Sequence, residues 1–347
     1  MREEKYNPVK IFELHKNERP VFIAAPMVRY SKLPFRQLVR DYNADIVYTP
    51  MILAKEFLHP EGRYFDFSTN EKDRSLVVQF GVEDPVILAQ ASEIVAPYTD
   101  AIGINCGCPQ PWAIQEGIGS ALLKQPQKVH ELVRSVKSAL GETFCVEVKI
   151  RLDNDLEKTR QLMQTAERAG ADFITVHGRR RADRSSFPVD LEAIRSVRPC
   201  VSIPVVANGD VNDLDTGLKI AEYTNTDGVM SARGLMENPA LFAGYTSTPW
   251  GCVEKFVAYA TGYSLNFQLF EHHLMTMMGK MTTKRERMQV PSESYASVID
   301  WLDETFVLRR PGETEFGTTI EPVRRDANGL VSSEIVTDDG SIETELD

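Results

Sequence analysis

Short runs of β-branched and other apolar residues recur along the first two thirds of the chain, and stretches with helical spacing of apolar positions separate most of them. This alternation is typical of α/β proteins whose parallel strands are joined by helices. It predicts strands over Val21–Ala25, Asp45–Tyr48, Ser75–Phe80, Ala101–Asn105, Cys145–Ile150, Phe173–Val176, Pro204–Ala207 and Gly228–Ser231. It also predicts helices near residues 33–42, 85–96, 126–139, 156–169, 190–197 and 213–223.

Eight strands with intervening helices, over roughly 225 residues, fit a (β/α)8 TIM barrel, whose typical length is about 250 residues. A doubly wound open sheet is the alternative. Its nucleotide-binding form carries Gly-x-Gly-x-x-Gly directly after a strand. The nearest match, Gly117–Leu122, lacks the third glycine and follows a cysteine-containing turn instead. We therefore expect an α/β fold whose main domain is a TIM barrel.

The pattern changes near residues 244–251, where Ser, Thr, Pro and Gly interrupt it, and beyond them apolar positions follow only a helical period. This predicts three helices, over Val253–Tyr263, Gln268–Met281 and Ser294–Phe306. The last stretch is polar, acidic and aperiodic, so it lacks the apolar area needed to fold alone. The expected organisation is a barrel domain over residues 1–246, a helical domain over 252–307 and a largely disordered tail over 308–347.

Net charge at first argues against a nucleic-acid partner, because the 347-residue chain carries −11 and nucleic-acid binders usually show a basic footprint. However, seven acidic residues and no Lys or Arg follow residue 325, so the tail carries most of the net negative charge. The rest of the chain contains two basic clusters that are either solvated faces or contacts for a polyanion: Arg179, Arg180, Arg181 and Arg184, and Lys280, Lys284, Arg285 and Arg287.

Membrane insertion and secretion are not expected, because no apolar run approaches about 18 residues and the first residues are charged. Five sparse cysteines, an odd number, favour a reducing compartment, so we expect a soluble protein of the cytoplasm, with the nucleus as a second such compartment. Adjacent His272 and His273 project in different directions without a partner at ligand spacing, which predicts no metal site.

Cys108 is the strongest catalytic candidate. The segment Asn105-Cys106-Gly107-Cys108-Pro109 puts it on a tight turn after a predicted strand, at the end where TIM barrels carry their chemistry. A buried structural cysteine is the other interpretation. A thiol with an ordinary pKa of about 8.5 is mostly protonated at neutral pH and can serve as an acid, whereas a lowered pKa would make it a nucleophile.

The ends of the last two predicted strands indicate a phosphate site. Asn208-Gly209-Asp210 and Ala232-Arg233 occupy the positions where barrels commonly bind phosphate through backbone amides. Glycine lets the backbone approach closely, and arginine can donate two hydrogen bonds to phosphate oxygens. These segments predict a phosphorylated cofactor, and two ordinary βα turns are the alternative.

Lys149 is predicted to point into the barrel, because it alternates with apolar residues in the fifth strand. An interior ammonium needs an anionic partner, which is either a flavin ring that gains charge on reduction or an internal acid such as Glu147. Gln79 could donate and accept hydrogen bonds at a flavin edge, although alone it would be a loop cap. His177 alone would be an ordinary interior histidine.

Taken together, these residues resemble the tRNA-dihydrouridine synthases. The resemblance covers about Phe22 to Leu241 and is most like the eukaryotic branch that modifies uridines 20a and 20b. Seven segments carry it in order: Ala25-Pro26-Met27, Val78–Gly81, Asn105–Pro109 with Gly117–Leu123, Val148–Arg151, Thr175–Arg179, Val206–Asp210 and Met230–Gly234.

The resemblance implies an FMN enzyme that uses NADPH to reduce the C5=C6 bond of D-loop uridines in tRNA, with Cys108 as proton donor. It implies that the flavin ring is held by Pro26, Met27, Val28, Gln79, Lys149 and His177, and its phosphate by Asn208, Gly209, Asp210, Ala232 and Arg233. Asn105, Arg151 and Arg179 would lie near the base or the RNA backbone, and Lys280, Lys284, Arg285 and Arg287 would contact tRNA phosphates. Arg180 replaces the family's usual threonine, which leaves side-chain roles in that loop open.

Two other functions remain as alternatives. A flavin barrel could act on a free pyrimidine, as dihydroorotate or dihydropyrimidine enzymes do, but the helical domain and the basic clusters argue against it. A tRNA-binding barrel without catalysis is disfavoured because Cys108, Lys149 and His177 occur together. We expect tRNA as the partner, with no membrane and no obligatory protein partner.

Overall fold

A computed structural model of the chain describes residues 6–326, 329–331, 335–336 and 342–343. Eight parallel strands form a closed barrel, because the second strand pairs with both the first and the third and the eighth pairs with the first. The predicted TIM barrel is confirmed. Its strands are β1 Val21–Ala24, β2 Ile46–Tyr48, β3 Leu76–Gly81, β4 Ala101–Cys106, β5 Cys145–Leu152, β6 Phe173–Arg180, β7 Val205–Asn208 and β8 Gly228–Ser231.

Six helices cover the barrel, and each predicted helix boundary lies within one residue of the observed one. Four of them begin after an aspartate whose carboxylate accepts a hydrogen bond from a backbone N–H of the first turn: Asp84, Asp155, Asp190 and Asp213. The six helices are Leu33–Asp41, Pro85–Val95, Pro126–Leu140, Leu156–Arg168, Leu191–Val197 and Leu214–Thr224.

The inward and outward faces of β5 show how the sequence places polar groups inside the barrel. Val146, Val148 and Ile150 belong to the apolar layer between the strands and the helices. The residues between them therefore face the interior, since side chains alternate along a strand. Lys149 and Glu147 thus lie inside the barrel, as the sequence predicted for Lys149.

A short helix that the sequence analysis missed, Pro8–Leu14, closes the amino-terminal end of the barrel. Its Phe12 packs on Phe173 of β6 with ring centroids 5.3 Å apart. Seven residues give too few turns for a clear apolar period. Other short elements in the barrel connections are the strand Ile52–Leu53, the helices Ala54–Phe57, Pro60–Asp66, Pro111–Gln115 and Arg233–Glu237, and the 3-10 turns Ala96–Tyr98, Gly119–Lys124, Arg198–Cys200 and Leu241–Ala243.

A buried ion network joins the outer helix Leu33–Asp41 to the turn after β1 and to the segment before β3. Asp73 accepts from Arg36 at 2.7 Å and from Arg40 at 2.5 Å, and Asp73 and Arg36 are almost fully buried. Arg36 also donates to the carbonyls of Ser31 and Ser68, both at 2.6 Å. The network therefore fixes the turn after β1 and the segment before β3.

The carboxyl-terminal region contains the helices Trp250–Gly262, Phe267–Met277, Lys284–Gln289 and Tyr295–Thr305, with a 3-10 turn over Met278–Lys280. Its apolar core includes Leu38 and Tyr42 from the outer face of a barrel helix, so the two regions share packing. The six-residue helix Lys284–Gln289 was not predicted, although Thr283 and Glu286 form a capping box that was readable in the sequence. None of the described helices is long and apolar enough to cross a membrane.

Residues 308–326 are folded against this helical region, so the prediction of disorder is wrong for them. Buried Glu254 accepts from the backbone N–H of Arg309 at 3.1 Å and of Gly317 at 2.8 Å. Trp250 N–H donates to the carbonyl of Ile320 at 2.7 Å. Backbone hydrogen bonds, the Glu254 carboxylate and the ion pairs of Arg310 and Arg324 hold most of the segment, and none of these produces an apolar period.

Beyond residue 326 the described part of the predicted tail is small. Ile335–Val336 pairs antiparallel with Ile342–Glu343. The prediction of disorder for residues 327–328, 332–334, 337–341 and 344–347 lies outside the described residues.

Candidate active site

Cys108 lies on a turn at the carboxyl end of β4, and Asn105 holds that turn. The Asn105 Oδ1 atom accepts hydrogen bonds from the N–H groups of Gly107 at 3.1 Å and Cys108 at 2.9 Å. Its amide nitrogen donates to Gln79 Oε1 at 2.7 Å. Asn105 is buried, whereas Cys108 is a half-buried free thiol. The structure therefore assigns Asn105 to positioning the thiol-bearing backbone.

Gly119 packs directly against Cys108. A Cβ atom at residue 119 would lie 2.7 Å from the Cys108 carbonyl oxygen and 2.9 Å from its Cβ, and the backbone φ is +62°. Ser120 N–H donates to the same carbonyl at 2.9 Å. In the sequence, Gly117-Ile118-Gly119 resembles an incomplete nucleotide-binding motif. Gly119 instead allows the close approach of two loops.

Arg151 joins three strand exits. Its Nε donates to the Gly107 carbonyl at 2.9 Å and its Nη1 to the Arg180 carbonyl at 3.1 Å, so the loops after β4, β5 and β6 are linked. The family resemblance predicts that Arg151 lies near the substrate. The structure gives its half-buried guanidinium a role in holding the Cys108 turn.

Gln79 carries an amide donor that no described residue satisfies. Gln79 is fully buried, its N–H donates to Thr49 Oγ1 at 3.1 Å, and its Oε1 is taken by Asn105. Its Nε2 is buried without a hydrogen-bond partner. Leaving such a donor unpaired costs roughly 1–3 kcal/mol, so it is suited to a ligand that brings an acceptor.

Lys149 Nζ donates to Asn208 Oδ1 across the barrel interior at 2.7 Å. Burial lowers the pKa of Lys149 and raises that of its neighbour Glu147. Among the described residues Lys149 forms no ion pair with Glu147, whose carboxylate lies beside the hydroxyl groups of Thr175 and Tyr48. The alternative of a direct Lys149–Glu147 pair is therefore not realised. The buried ammonium remains available to an anionic ligand.

The pKa of His177 shows that this end of the barrel is strongly positive. Burial, together with the charges of Lys149, Arg151, Arg179 and Arg233, lowers the pKa of His177 to about 2. The imidazole is therefore neutral at physiological pH and can both donate and accept hydrogen bonds. The surrounding cations favour an anionic ligand beside it.

A cavity of about 100 Å³ lies at the ends of β7 and β8, among Asn208, Gly209, Asp210, Ala232 and Arg233. These are the residues that the sequence predicted for phosphate. Gly209 has φ +123°, and a Cβ there would lie 2.3 Å from Val189 Cγ1, so the backbone conformation requires glycine. The Asp210 carboxylate accepts a hydrogen bond from Arg233 at 2.9 Å. The backbone of Asp210, rather than its carboxylate, is therefore the group that can face a phosphate.

Arg179 is not available to a substrate. It is 3% exposed, donates to both Asp210 oxygens at 2.7 Å and donates from Nε to the Phe187 carbonyl at 2.6 Å. The predicted contact with uracil or RNA is therefore corrected. Arg179 braces Asp210, and with it the phosphate cavity, because its own hydrogen bonds all lie within the protein.

The turn after β1 is also held from within. Ser31 Oγ accepts from Met27 N–H and donates to the Ala25 carbonyl, both at 2.9 Å. Pro26 and Met27 are half-buried and Val28 is exposed at the open end of the barrel. The flavin role that the family resemblance implies for these three residues stays a prediction. Ser31 was missed, because a single serine after a strand carries no distinctive signal.

The basic cluster of the helical region divides into two groups. Lys280, Lys284 and Arg285 are exposed and form no ion pair within the described ranges. Arg287 instead donates to the carbonyls of Gly279, at 2.9 Å, and Thr282. Arg287 thus helps to hold the helix start through one guanidinium nitrogen, and its predicted contact with tRNA phosphate stays a prediction.

The residues present fit flavin mononucleotide. The ring edge needs a hydrogen-bond donor and nearby positive charge, which Gln79 Nε2 and Lys149 provide. The phosphate needs close backbone and a cation, which Gly209 and Arg233 provide beside the cavity. Both sets lie at the same end of the barrel as Cys108.

Comparisons with known proteins extend this picture. Residues 23–323 match the family described as Dihydrouridine synthase (Dus). The chain is 73% identical to the tRNA-dihydrouridine(20a/20b) synthase of Schizosaccharomyces pombe (strain 972 / ATCC 24843), a match that covers 94% of this chain and 100% of that protein. It is 46% identical to the protein of the same name from Saccharomyces cerevisiae (strain ATCC 204508 / S288c), covering 92% and 89%. Both names include NAD(P)+.

The solved structure of histamine dehydrogenase from Rhizobium sp. 4-9 aligns with a TM-score of 0.51 at 12% identity, covering 69% of this chain and 49% of that one. At this identity the likeness shows a shared fold alone. The family match, by contrast, spans the barrel, the Cys108 turn and the helical region. This chain belongs to the dihydrouridine synthase family.

Proposed function

We propose that this protein reduces the C5=C6 bond of uridines 20a and 20b in the D loop of tRNA, with FMN as bound cofactor and NADPH as reductant. The two relatives described above support the choice of positions, since both carry 20a/20b in their names. One observation carries the chemistry. The half-buried thiol of Cys108 stands at the same barrel end as an unpaired amide donor, a buried ammonium and a phosphate-sized cavity.

Each group of the site has a defined task. FMN, when bound, supplies the hydride that adds to C6 of the uracil. Gln79 and Lys149 bind the ring edge, and the positive charge of Lys149 favours the electron-rich form of the cofactor. Gly209 and Arg233 bind the phosphate, with Arg179 holding Asp210 in place.

Cys108 completes the reduction. Hydride addition at C6 leaves negative charge on the pyrimidine, and a proton must be delivered to C5 to balance it. Cys108 donates that proton, so the thiol must be protonated when the base binds. Asn105, Gly119 and Arg151 hold the turn that carries it. The first of the two catalytic interpretations of Cys108, as an acid, is the one that this reaction uses.

The substrate must present an unstacked base to a barrel mouth, which costs a few kcal/mol and favours a loop nucleotide. Exposed Lys280, Lys284 and Arg285 contact tRNA phosphates from the helical region. The barrel and the helical region act as two domains of one enzyme. The protein works in the cytoplasm or nucleus, in keeping with five free cysteines.

The test is to map dihydrouridine in tRNA from cells that lack this protein and from the same cells with it restored. We expect loss of dihydrouridine at 20a and 20b, with other positions retained, and recovery on restoration. The purified protein should be yellow and should oxidise NADPH. Unchanged dihydrouridine at both positions, or a colourless protein that cannot be reconstituted with FMN, would contradict the proposal.

Reversing charge at Lys284 and Arg285 should weaken tRNA binding while leaving the flavin in place. We expect Lys284→Glu/Arg285→Glu to raise Kd for tRNA, most strongly at low salt, because two phosphate contacts are lost and each releases counterions. Salt-dependent binding titrations measure this. Lys10→Glu/Lys16→Glu is the matched control, since both lysines are exposed at the closed end of the barrel. Equal affinity of the two double variants would place the RNA surface elsewhere.

A further inference from the structure

A second, larger cavity lies between the barrel and the helical region. It has a volume of about 530 Å³, within the range of about 300–1,000 Å³ that is common for ligand sites. One wall is the turn after β1, with Val28, Arg29 and Tyr30, and the other is the start of helix Phe267–Met277, with Gln268 and His272. Of these residues, only Val28 has a role in the proposed function.

The cavity contains a stacked pair of aromatic rings. Tyr30 and His272 have centroids 4.8 Å apart and ring planes within 24° of parallel. His272 is exposed, whereas its neighbour His273 is buried. His273 contacts the Tyr30 ring edge-on at 5.5 Å, and its Nε2 donates to the Tyr30 carbonyl at 3.1 Å. Phe35 stacks on His273 at 4.8 Å from the barrel side, so the pair is held rigidly.

Polar groups surround the rings. Arg29 is exposed, forms no ion pair among the residues described, and has φ +73°, a backbone conformation that bulky residues rarely adopt. Gln268 presents an exposed amide on the facing wall. An aromatic ring beside a free cation and an amide is the combination that binds single-stranded nucleotides, through stacking of the base and attraction of the phosphate.

The cavity lies next to the reaction centre without being part of it. Met51 lines the cavity and also contacts Gly81, because its Sδ atom lies 3.1 Å from the position that a Cβ atom on Gly81 would take. On the same side of Gly81, Ile118 Cδ1 lies 3.3 Å from that position. Ile118 precedes Gly119, which packs on Cys108. Cys108 itself, Gln79 and Lys149 do not line the cavity. A nucleotide bound there would be a neighbour of the base being reduced.

We propose that the Tyr30–His272 pair stacks the base of the nucleotide adjacent to the target uridine, with Arg29 at its phosphate. This inference rests on the proposed function, because it needs a tRNA whose target base enters the barrel mouth. The stacked neighbour holds the strand in place once the uridine has left the base stack, so the site recognises an RNA strand rather than a free pyrimidine.

The first test compares His272→Ala with His272→Phe. Loss of one base stack corresponds to about a 5- to 150-fold loss of affinity, and we expect His272→Ala to raise KM for tRNA within that range. His272→Phe keeps a ring and should stay close to the parent protein. Tyr223→Ala removes an exposed ring from an outer barrel helix and is the control, expected to be unchanged. FMN content and NADPH-driven flavin reduction should be equal in all four proteins.

The second test uses tRNA transcripts that lack the base on one side of the target uridine or on the other. One of these abasic transcripts should raise KM for the parent protein by the same factor as His272→Ala raises it for intact tRNA. Combining the two should add no further loss, because both remove the same stack. If the losses from the abasic transcript and from His272→Ala multiply, or if His272→Ala leaves KM for tRNA unchanged, the inference is overturned, provided that the parent protein is active. A parent protein that forms no dihydrouridine would instead contradict the proposed function.

Discussion

Replacing Cys108 with alanine is expected to lower the rate of dihydrouridine formation by about 10²- to 10⁴-fold, the usual contribution of a positioned acid or base. The turn that carries the thiol is held by Asn105, Gly119 and Arg151, and none of these contacts uses the sulfur atom. The backbone should therefore keep its conformation in Cys108→Ala. Flavin content and flavin reduction by NADPH should match the parent, so that only the transfer to uridine is lost.

The measurement is single-turnover formation of dihydrouridine by the reduced enzyme. Cys106→Ala is the matched control, because it removes a thiol two residues away that is fully buried in the layer between strands and helices. Burial raises the pKa of Cys106 well above its usual range, and its side chain has no path to the substrate. A Cys108→Ala enzyme as fast as Cys106→Ala would remove the proton-donor role.

Asp73→Asn is expected to lower the free energy of unfolding by about 3–5 kcal/mol, since it removes one partner of a buried ion network and leaves Arg36 uncompensated. Urea unfolding at pH 7 measures this. Asp215→Asn is the control, because its pair with Lys219 is mostly solvent-exposed and such pairs contribute little to stability. If the two variants lose similar stability, the network does not hold the fold.

The pH dependence of this difference has a defined sign. Burial alone would raise the pKa of Asp73, but the charges and hydrogen bonds of Arg36 and Arg40 hold it well below its usual range. A carboxyl with a lowered folded pKa stabilises the protein above its unfolded pKa of about 3.9, and this contribution is lost as pH falls further. The gap between the parent and Asp73→Asn should thus be widest near neutrality and narrow below pH 4.

The network also reaches the cofactor site. Arg36 donates to the Ser31 carbonyl, and the Ser31 hydroxyl orients the Met27 backbone. Asp73→Asn should consequently release FMN more readily than the parent at denaturant concentrations where both remain folded. Equal FMN dissociation constants would show that the turn after β1 is independent of the network.

Periodicity was sufficient to predict the barrel because its determinants are local. Alternation in β5 put Lys149 inside, and aspartate caps marked where four helices begin. Pairings that depend on distant residues could not be predicted in this way. Arg179 donates hydrogen bonds to Asp210, 31 positions away, and nothing in the sequence around Arg179 indicated its burial. The same holds for Arg287, whose carbonyl partners become visible only once the preceding turn is formed.

The sequence predicted which types of residue form the site, but it did not show which of them face a ligand and which hold other residues in place. Cys108, Gln79, Lys149, Gly209 and Arg233 lie at one barrel end, as their positions after strands required. Gly119 and Ser31 were missed because their role is contact with a neighbouring loop, which no sequence spacing expresses. Asn105 and Arg151 also support the turn that carries the thiol, a role that their positions in the sequence did not indicate.

The buried carboxylate of Glu254 sets where this enzyme can be shortened. A chain cut after residue 307, at the end of the helical periodicity, would remove both amide partners of Glu254 and leave its buried carboxylate uncompensated. A cut beyond residue 326 would spare those partners and still discard most of the surplus acidity. Deletion series, fusion proteins and crystallisation variants should therefore keep the stretch through Asp326 as part of the folded body.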